Sequence, residues 1–555
     1  MSNYRFTHIA LFLFVTLLLR AVPARRDAFV VNQPDGSSIT LFNHGDEIFH
    51  YLTDTAGNIV TQDEHGFYVV DNQNPRLNSS ADMSEKRVIT DRRLPAVISP
   101  NIAEHGLIIL ANFADQTFLP ENSLESMRDM FCGLDYTYNG ATGSARQYFY
   151  DQSFGIYNPQ FDVVGPVNLP HPTAFYGSNN RVGEEPKAYL AIRDACMLAD
   201  SLYDIDFSIY DNNHDGEMDF VFVVYAGHNE AEGGSNTTIW PHAWSLINAG
   251  LRLKIDDVLI GRYACSSELR DNKGEERAGI GTFCHEFSHV LGLPDLYATN
   301  LLTHRTLGAW DILDYGPYNN NGRTPPAYSA YERFFLGWAK PVLLNQPNDY
   351  ILRDIKTNNA CAMITLNGES NLSGNNPDPE VFFLLENRQR TAWDTYLPGH
   401  GLMITKIQFD ENKWQNNTVN NNADDMGVDI IEAAVDSMRQ TGSLVNLYPH
   451  GATSYVPSVL YPILDIAENE GVITFRFMSG SEGREPVEII GTASTGTDKI
   501  FSPQEQIISI TDLNGKKICT SGVGQERDIS PSILSELPHG VYIISTETQS
   551  YKIVI

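Results

Sequence analysis

The sequence predicts an α+β multidomain chain, and three observations carry that reading. Apolar strands at Gly106–Phe113 and Phe220–Tyr225 bracket an amphipathic helix over 184–202, with Ala188, Ile192, Ala195 and Leu198-Ala199 near helical spacing. From 341 to 478 short apolar runs such as 381–385, 401–405 and 472–477 alternate with Asn, Gly and Pro clusters, which reads as mainly β. A polar linker, 479–486, then separates a last block with its own strand and turn signals. At 555 residues the chain has room for about three to four domains.

The elements follow in order. Arg5 is the only charge before the apolar run Ile9–Leu19, and small residues Ala21-Val-Pro-Ala24 follow it. A positive start, a short apolar run and small residues define an export signal, so residues 1–24 are read as a signal peptide and the chain as secreted or on the cell surface. The run is too short for a mature membrane helix, and no other segment is long and apolar enough to span a membrane. Residues 25–95 hold short alternating strands at 38–42, 48–51 and 66–70, then the dibasic pairs Lys86-Arg87 and Arg92-Arg93. That block is read as an N-terminal pro-segment cut near those pairs, which would make the chain a zymogen; a plain β domain is the alternative.

Composition excludes some classes. With 38 Lys+Arg against 69 Asp+Glu the net charge is −31, which a nucleic-acid phosphate backbone repels. Six cysteines without a CxxC pair argue against both a disulfide scaffold and a zinc ribbon.

The chemistry concentrates at His285-Glu286-Phe-Ser-His289-Val-Leu-Gly292-Leu-Pro-Asp295. Two histidines four apart on a helix share a face and can reach one cation. Gly292 can end that helix in a sharp turn, and the chain can then return Asp295 as a third ligand. His285, His289 and Asp295 are therefore the expected Zn2+ ligands, leaving one open position, and Glu286 is the expected general base.

The string resembles the extended zinc motif of the metzincins, in which the third ligand is usually His. The Asp form is similar to the immune inhibitor A-type secreted metalloproteases. Residues 107–115, 143–149, 153–155, 224–227, 239–242, 307–311, 336–338, 382–388 and 397–401 carry further likeness, so the resemblance spans roughly 30–480. It implies a metzincin-like α/β catalytic domain over 96–340 and a β-rich accessory domain over 341–478, while the strand and turn signals of the last block, 487–555, read as a small C-terminal β-sandwich. The resemblance also implies a zinc endopeptidase acting on protein or peptide substrates. One departure stands out: where the family places the methionine of its Met-turn, this chain has Leu313, of similar volume. Tyr315, two residues on, is by the same resemblance a candidate oxyanion stabiliser; a packed aromatic is the other reading.

Other features complete the reading. Asp211, Asn213, Asp215, Glu217 (by its carbonyl) and Asp219, with Gly216, follow the spacing of a Ca2+ loop, although Phe222 stands where a closing Glu belongs; an Asn/Asp turn is the alternative. With no cysteine in 25–95, Asp46, Glu47 or His50 is the candidate for capping the zinc in a precursor. His242 and His304 are weak alternative ligands. The Asn/Asp-rich run 416–425 reads as an exposed loop. Segments 512–518, 537–544 and 551–555 resemble the C-terminal sorting domain of the type IX secretion pathway of Bacteroidetes, which implies outer-membrane secretion machinery as a partner; a binding β module is the alternative. A non-catalytic surface or adhesive protein, or an amidase of cell-wall peptide, would be the competing functions.

Overall fold

The computed structural model describes residues 22–46, 50–63, 65–71, 105–179, 185–300, 304–433, 446–481, 483 and 485–493, and the backbone of strands within 507–554. Residues 1–21, which hold most of the expected signal peptide, Glu47, and the stretch 72–104 with its dibasic pairs lie outside them. Among the described residues no helix is long and apolar enough to cross a membrane.

The chain begins as an antiparallel meander of β1 (Phe29–Asn32), β2 (Ser38–Gly45), β3 (His50–Thr53), β4 (Ile59–Gln62) and β5 (Tyr68–Val70). Its turns reuse one device. Asp35, Asp54 and Asp63 accept backbone N–H bonds from residues just ahead, and Gly36, Gly57 and Gly66 take the positive φ that closes each turn.

The central sheet is built from β6 (His105–Asn112), β7 (Gln160–Asn168), β9 (Val221–Tyr225), β10 (His242–Ser245) and β13 (Arg262–Ser267), in the order β10-β13-β9-β6-β7. β8 (Glu217–Met218), β11 (Leu253–Ile255) and β12 (Val258–Ile260) form a small sheet beside it. All neighbours in the central sheet are parallel except β10. Both faces are covered, which is why its inner strands read as unbroken apolar runs. Ile108, Leu110, Phe222 and Val224 face α1 (Leu124–Cys132), α2 (Ala145–Gln152) and α4 (Gly281–Val290). Leu107, Ile109, Val221 and Val223 face α3 (Ala188–Tyr203) through Ala191, Ile192, Ala195 and Ala199. The expected 184–202 helix thus starts at Ala188, two residues beyond Pro186, a residue that disfavours helical backbone before it.

The second half is sheet-rich. β15 (Val342–Leu343), β17 (Ala362–Thr365), β18 (Val381–Arg388), β19 (Gly401–Gln408) and β20 (Val428–Ile430) form one sheet, and β16 (Asn348–Leu352), β21 (Ile463–Asn469), β22 (Val472–Phe477) and β23 (Val487–Glu488) another. The core does not stop at the expected 340/341 boundary, because Phe382, Leu384, Met403 and Trp414 share one cluster with Phe283 and Phe287 of α4. Buried charges cross the same junction. Arg388 meets Asp394 at 2.7 and 2.9 Å, and the amides of Ala327 and Ala330, at the start of α5 (Ala330–Phe335), donate to Asp394 and Glu386. At the other boundary β23 pairs with β16, and β24 (Thr492–Ala493) pairs with β14 (Ala339–Lys340), so 487–493 belong to this body rather than to the tail. The tail itself forms one antiparallel sheet, β25 (Ile507–Asp512), β26 (Lys517–Thr520), β27 (Val541–Thr546) and β28 (Ser550–Val554), in the order β26-β25-β27-β28. The second layer of the expected sandwich is not among the described residues.

Candidate metal centre

Helix α4 is buried on nearly every side. Phe283 and Phe287, one turn apart, pack into a ring cluster with Phe131, Phe149, Phe161, Phe220 and Phe222. Gly281 opens the helix against the Pro317 carbonyl, which a Cβ there would strike. At the far end Gly292 takes φ +93° and turns the chain back, as expected.

That turn brings Asp295 to the two histidines. Nε2 of His285 and Nε2 of His289 are 3.2 Å apart, and Oδ1 of Asp295 lies 3.3 and 3.2 Å from them. All three side chains are buried. Backbone carbonyls set the tautomers: Nδ1 of His285 meets the Ile312 carbonyl at 2.7 Å, and Nδ1 of His289 meets that of Leu293 at 2.8 Å. A carbonyl only accepts, so each Nδ1 carries the proton and each Nε2 turns its lone pair inward. Two imidazole nitrogens and a carboxylate oxygen, all pre-turned toward one point, fit a zinc ion. Among the described residues, three or more His, Cys, Asp or Glu donors converge within 4.8 Å at this place and one other.

Asn417 holds the third arm. Its Oδ1 accepts from the Asp295 amide at 2.7 Å, its Nδ2 donates to Asp295 Oδ2, and its carbonyl accepts from Thr299 at 2.8 Å. Asn420, fully buried, donates to the carbonyls of Leu296 and Val428. The run 416–425 is therefore not simply the exposed loop expected: Asn417, Val419 and Asn420 are interior, and only 422–425 are exposed. Asparagine serves here because it tolerates the φ of +52° at position 417 and offers both a donor and an acceptor.

Leu313, where the resemblance expects a methionine, is buried, and its carbonyl accepts from the Leu296 amide at 2.8 Å, tying this segment to the loop that carries Asp295. Two buried carboxylates flank it. Burial drives Asp311 up to about 7, while its Oδ1 accepts from the Leu313 amide at 2.8 Å. Asp314 accepts from Thr306 and from the Gly308 amide.

Glu286 is fully buried, and its Oε1 accepts from the Val22 backbone N–H at 3.1 Å. Val22 belongs to a strap laid over the centre. Its carbonyl accepts from the Trp240 indole, that of Pro23 from Tyr318 at 2.7 Å, and Ala24 and Arg25 donate to the carbonyls of Gly45 and Ala231. The Arg26 amide donates to the Tyr315 hydroxyl at 2.5 Å, and its guanidinium lies 5.0 Å from that ring's centre. Burial pushes the Tyr315 phenol up to about 12.

The expected capping side chains do other work. His50 meets the Asp46 carbonyl and the Glu230 carboxylate, and stacks on Trp240, so it fastens the N-terminal sheet to the 230 loop. His242 is pinned between the Trp240 carbonyl and the Tyr263 hydroxyl, with burial lowering its pKa to about 4, and His304 meets the Asn420 carbonyl. Neither joins the cluster. In the Asp211–Asp219 loop the side-chain oxygens are turned onto the loop's own amides: Asp211 accepts from Asp215 and Gly216, Asn213 from Asp215, Asp215 from Glu217, and Asp219 from Asn212. Glu217 lies in β8, where burial raises its pKa. Five cysteines, Cys132, Cys196, Cys265, Cys284 and Cys361, are free thiols.

Known proteins share this part of the chain. Immune inhibitor A of Bacillus thuringiensis subsp. alesti is 25% identical over 216 residues, which are 34% of this chain and 31% of that protein. Pre-pro-metalloprotease PrtV of Vibrio cholerae serotype O1 (strain M66-2) is 27% identical over 233 residues, 36% of this chain and 25% of that protein. The chain thus spans under a third of the length of these curated relatives. Residues 107–339, which hold His285, Glu286, His289 and Asp295, match the family described as immune inhibitor A peptidase M6, catalytic domain.

Proposed function

We propose that this chain is a secreted zinc-dependent endopeptidase that hydrolyses peptide bonds in proteins, with a metzincin-like catalytic domain. The observation that carries the reading is the convergence of two imidazole Nε2 atoms and Asp295 Oδ1 in a buried cluster next to Glu286. Its match to a metallopeptidase catalytic domain supports the same reading. Zinc bound by His285, His289 and Asp295 would supply Lewis acidity, polarising the scissile carbonyl and acidifying water. Glu286 is the general base: its Oε1 takes a proton and returns it to the departing amine. The Val22 N–H already on that oxygen supports this role, since a peptide backbone reaches it. Tyr315, whose phenol stays protonated through neutral pH, donates to the developing oxyanion once Arg26 has left it.

The strap supports a latent precursor. Residues 25–95 are the pro-segment in this reading, and Val22–Arg26 keep substrate from Glu286 while the N-terminal sheet is docked. The small-residue site Ala21–Ala24 overlaps that strap, so where the leader is cut decides how much of it remains. The C-terminal sheet serves as the secretion address, read by outer-membrane machinery; deleting 494–555 rather than 487–555 spares the strands that pair with the main body. Calcium in the Asp211–Asp219 loop rests on spacing alone, and EGTA on a zinc-replete sample should lower its melting temperature. The main test is cleavage of casein by the processed chain: it should stop on chelation and return with zinc. Cleavage that ignores chelators would refute it.

A further inference from the structure

The second convergence of metal-binding side chains lies in the β-rich half. His400 precedes β19, His450 follows the Tyr448-Pro449 turn, and Glu468 stands in β21. Nδ1 of His400 lies 2.8 and 3.1 Å from the two Glu468 oxygens, and Nε2 of His450 lies 3.3 Å from Oε2. The two rings meet edge to face with centroids 4.7 Å apart.

We propose that His400, His450 and Glu468 form a second zinc site, independent of the one at His285. The spacing is the first argument. Zn–N and Zn–O bonds of about 2.0–2.2 Å put tetrahedral ligands about 3.3 Å apart. Here each imidazole nitrogen lies 2.8–3.3 Å from a Glu468 oxygen, and all three ligand atoms lie within 4.8 Å of one another. The donor set is the second, because two imidazoles and a carboxylate match borderline-soft divalent metals and zinc above all. The third is support behind the ligands. Gln389, at the end of β18, donates to Glu468 Oε1 at 3.2 Å and to Asn387 Oδ1 at 2.7 Å, an outer arrangement that orients a ligating carboxylate. The backbones are held as well: Tyr448 and Leu402 exchange hydrogen bonds, so the 447–450 turn and the start of β19 move together. His400 and His450 keep 42% and 46% of their side-chain surface exposed, which leaves a fourth position to water and a path for the ion.

The site would act as a staple. Three chain segments far apart in sequence share one ion, and the loop before His400 lies on the floor of the first centre, where Gly399 faces the Trp310 indole. All three ligands lie in the β-rich half, so zinc here pins the loop before β19, which rests on Trp310, to β21 and the 447–450 turn.

The test uses the full chain carrying His285→Ala and His289→Ala, which disables the first cluster. After equilibration with micromolar zinc and gel filtration, this protein should retain one zinc per chain, and zinc should raise its melting temperature. Adding His450→Ala should abolish both effects, and Glu468→Gln should weaken retention at least about tenfold. Should the double variant fail to fold, the otherwise wild-type chain gives the same contrast: two zinc ions, falling to one with His450→Ala. A double variant that folds but binds no zinc overturns the proposal, as does zinc retention indifferent to His450→Ala and Glu468→Gln. A purely ionic His–Glu cluster gives that same indifference.

Discussion

Asn417 is the residue outside the ligand set whose loss should be felt most at the first centre. It closes two hydrogen bonds on Asp295, one to the amide and one to Oδ2, in a place with no solvent. Truncation leaves a buried donor and a buried acceptor without that partner, at about 1–3 kcal/mol each, so about 2–6 kcal/mol of stability is at stake. The substitute must also accept the left-handed backbone at 417, which costs Ala about 1–2 kcal/mol and glycine nothing. Asn417→Gly therefore isolates the side chain, and the gap between Asn417→Ala and Asn417→Gly measures the backbone. For zinc, losing an outer partner of a ligand weakens binding about 10–100-fold. The assay is competition between protein and a chelator of known affinity, paired with thermal unfolding. Wild-type zinc affinity and melting in Asn417→Gly would refute the view that this asparagine holds the third ligand.

Further outcomes follow from the strap and the floor. A chain beginning at Asp27 lacks the Val22 and Arg26 contacts, so it should cleave casein faster than one beginning at Val22; equal rates would show that the strap does not gate Glu286. Asp311 titrates near 7 when folded against 3.8 in the ordinary state, so the folded chain holds the extra proton between those values. Stability should fall as pH rises from about 4 to 7, and Asp311→Asn, which keeps the acceptor for Leu313, should gain on wild type by about 1–4 kcal/mol across that window in denaturant titrations. A constant gap would mean that Asp311 does not carry the proton. Leu313→Met should cost under about 1.5 kcal/mol and leave turnover within a few-fold, since only the shape of the floor changes. A large loss of activity would give that position a chemical role.

The helix with its two histidines, the turn at Gly292 and the return of Asp295 were legible because they depend on local spacing: one helical turn and one left-handed residue. The central strands were legible as apolar runs because helices cover both faces. Asn417 was not, for it lies 122 residues from the aspartate it holds, in a run whose composition reads equally as a surface loop. The strap was hidden for a different reason: residues 22–24 have the small, apolar character of a leader's end, and the same character lets them pack beside Trp240. His400, His450 and Glu468 come from three segments with no shared spacing, so only the folded sheet brings them together. The continuity of the core past residue 340 was likewise invisible, since apolar strands do not announce which neighbour they will pack against.

The central claim is that Glu286 acts as the base beside a zinc held by His285, His289 and Asp295, and Glu286→Gln tests it most directly. The substitution keeps the size of the side chain and an oxygen for the Val22 amide, and it removes the carboxylate. Processed wild-type and variant chains should hold equal zinc at the first site, with casein cleavage falling by about 10²–10⁴-fold in the variant. Equal zinc with undiminished cleavage would contradict the account, and absence of cleavage by a zinc-loaded wild type would turn the reading toward a non-catalytic surface protein.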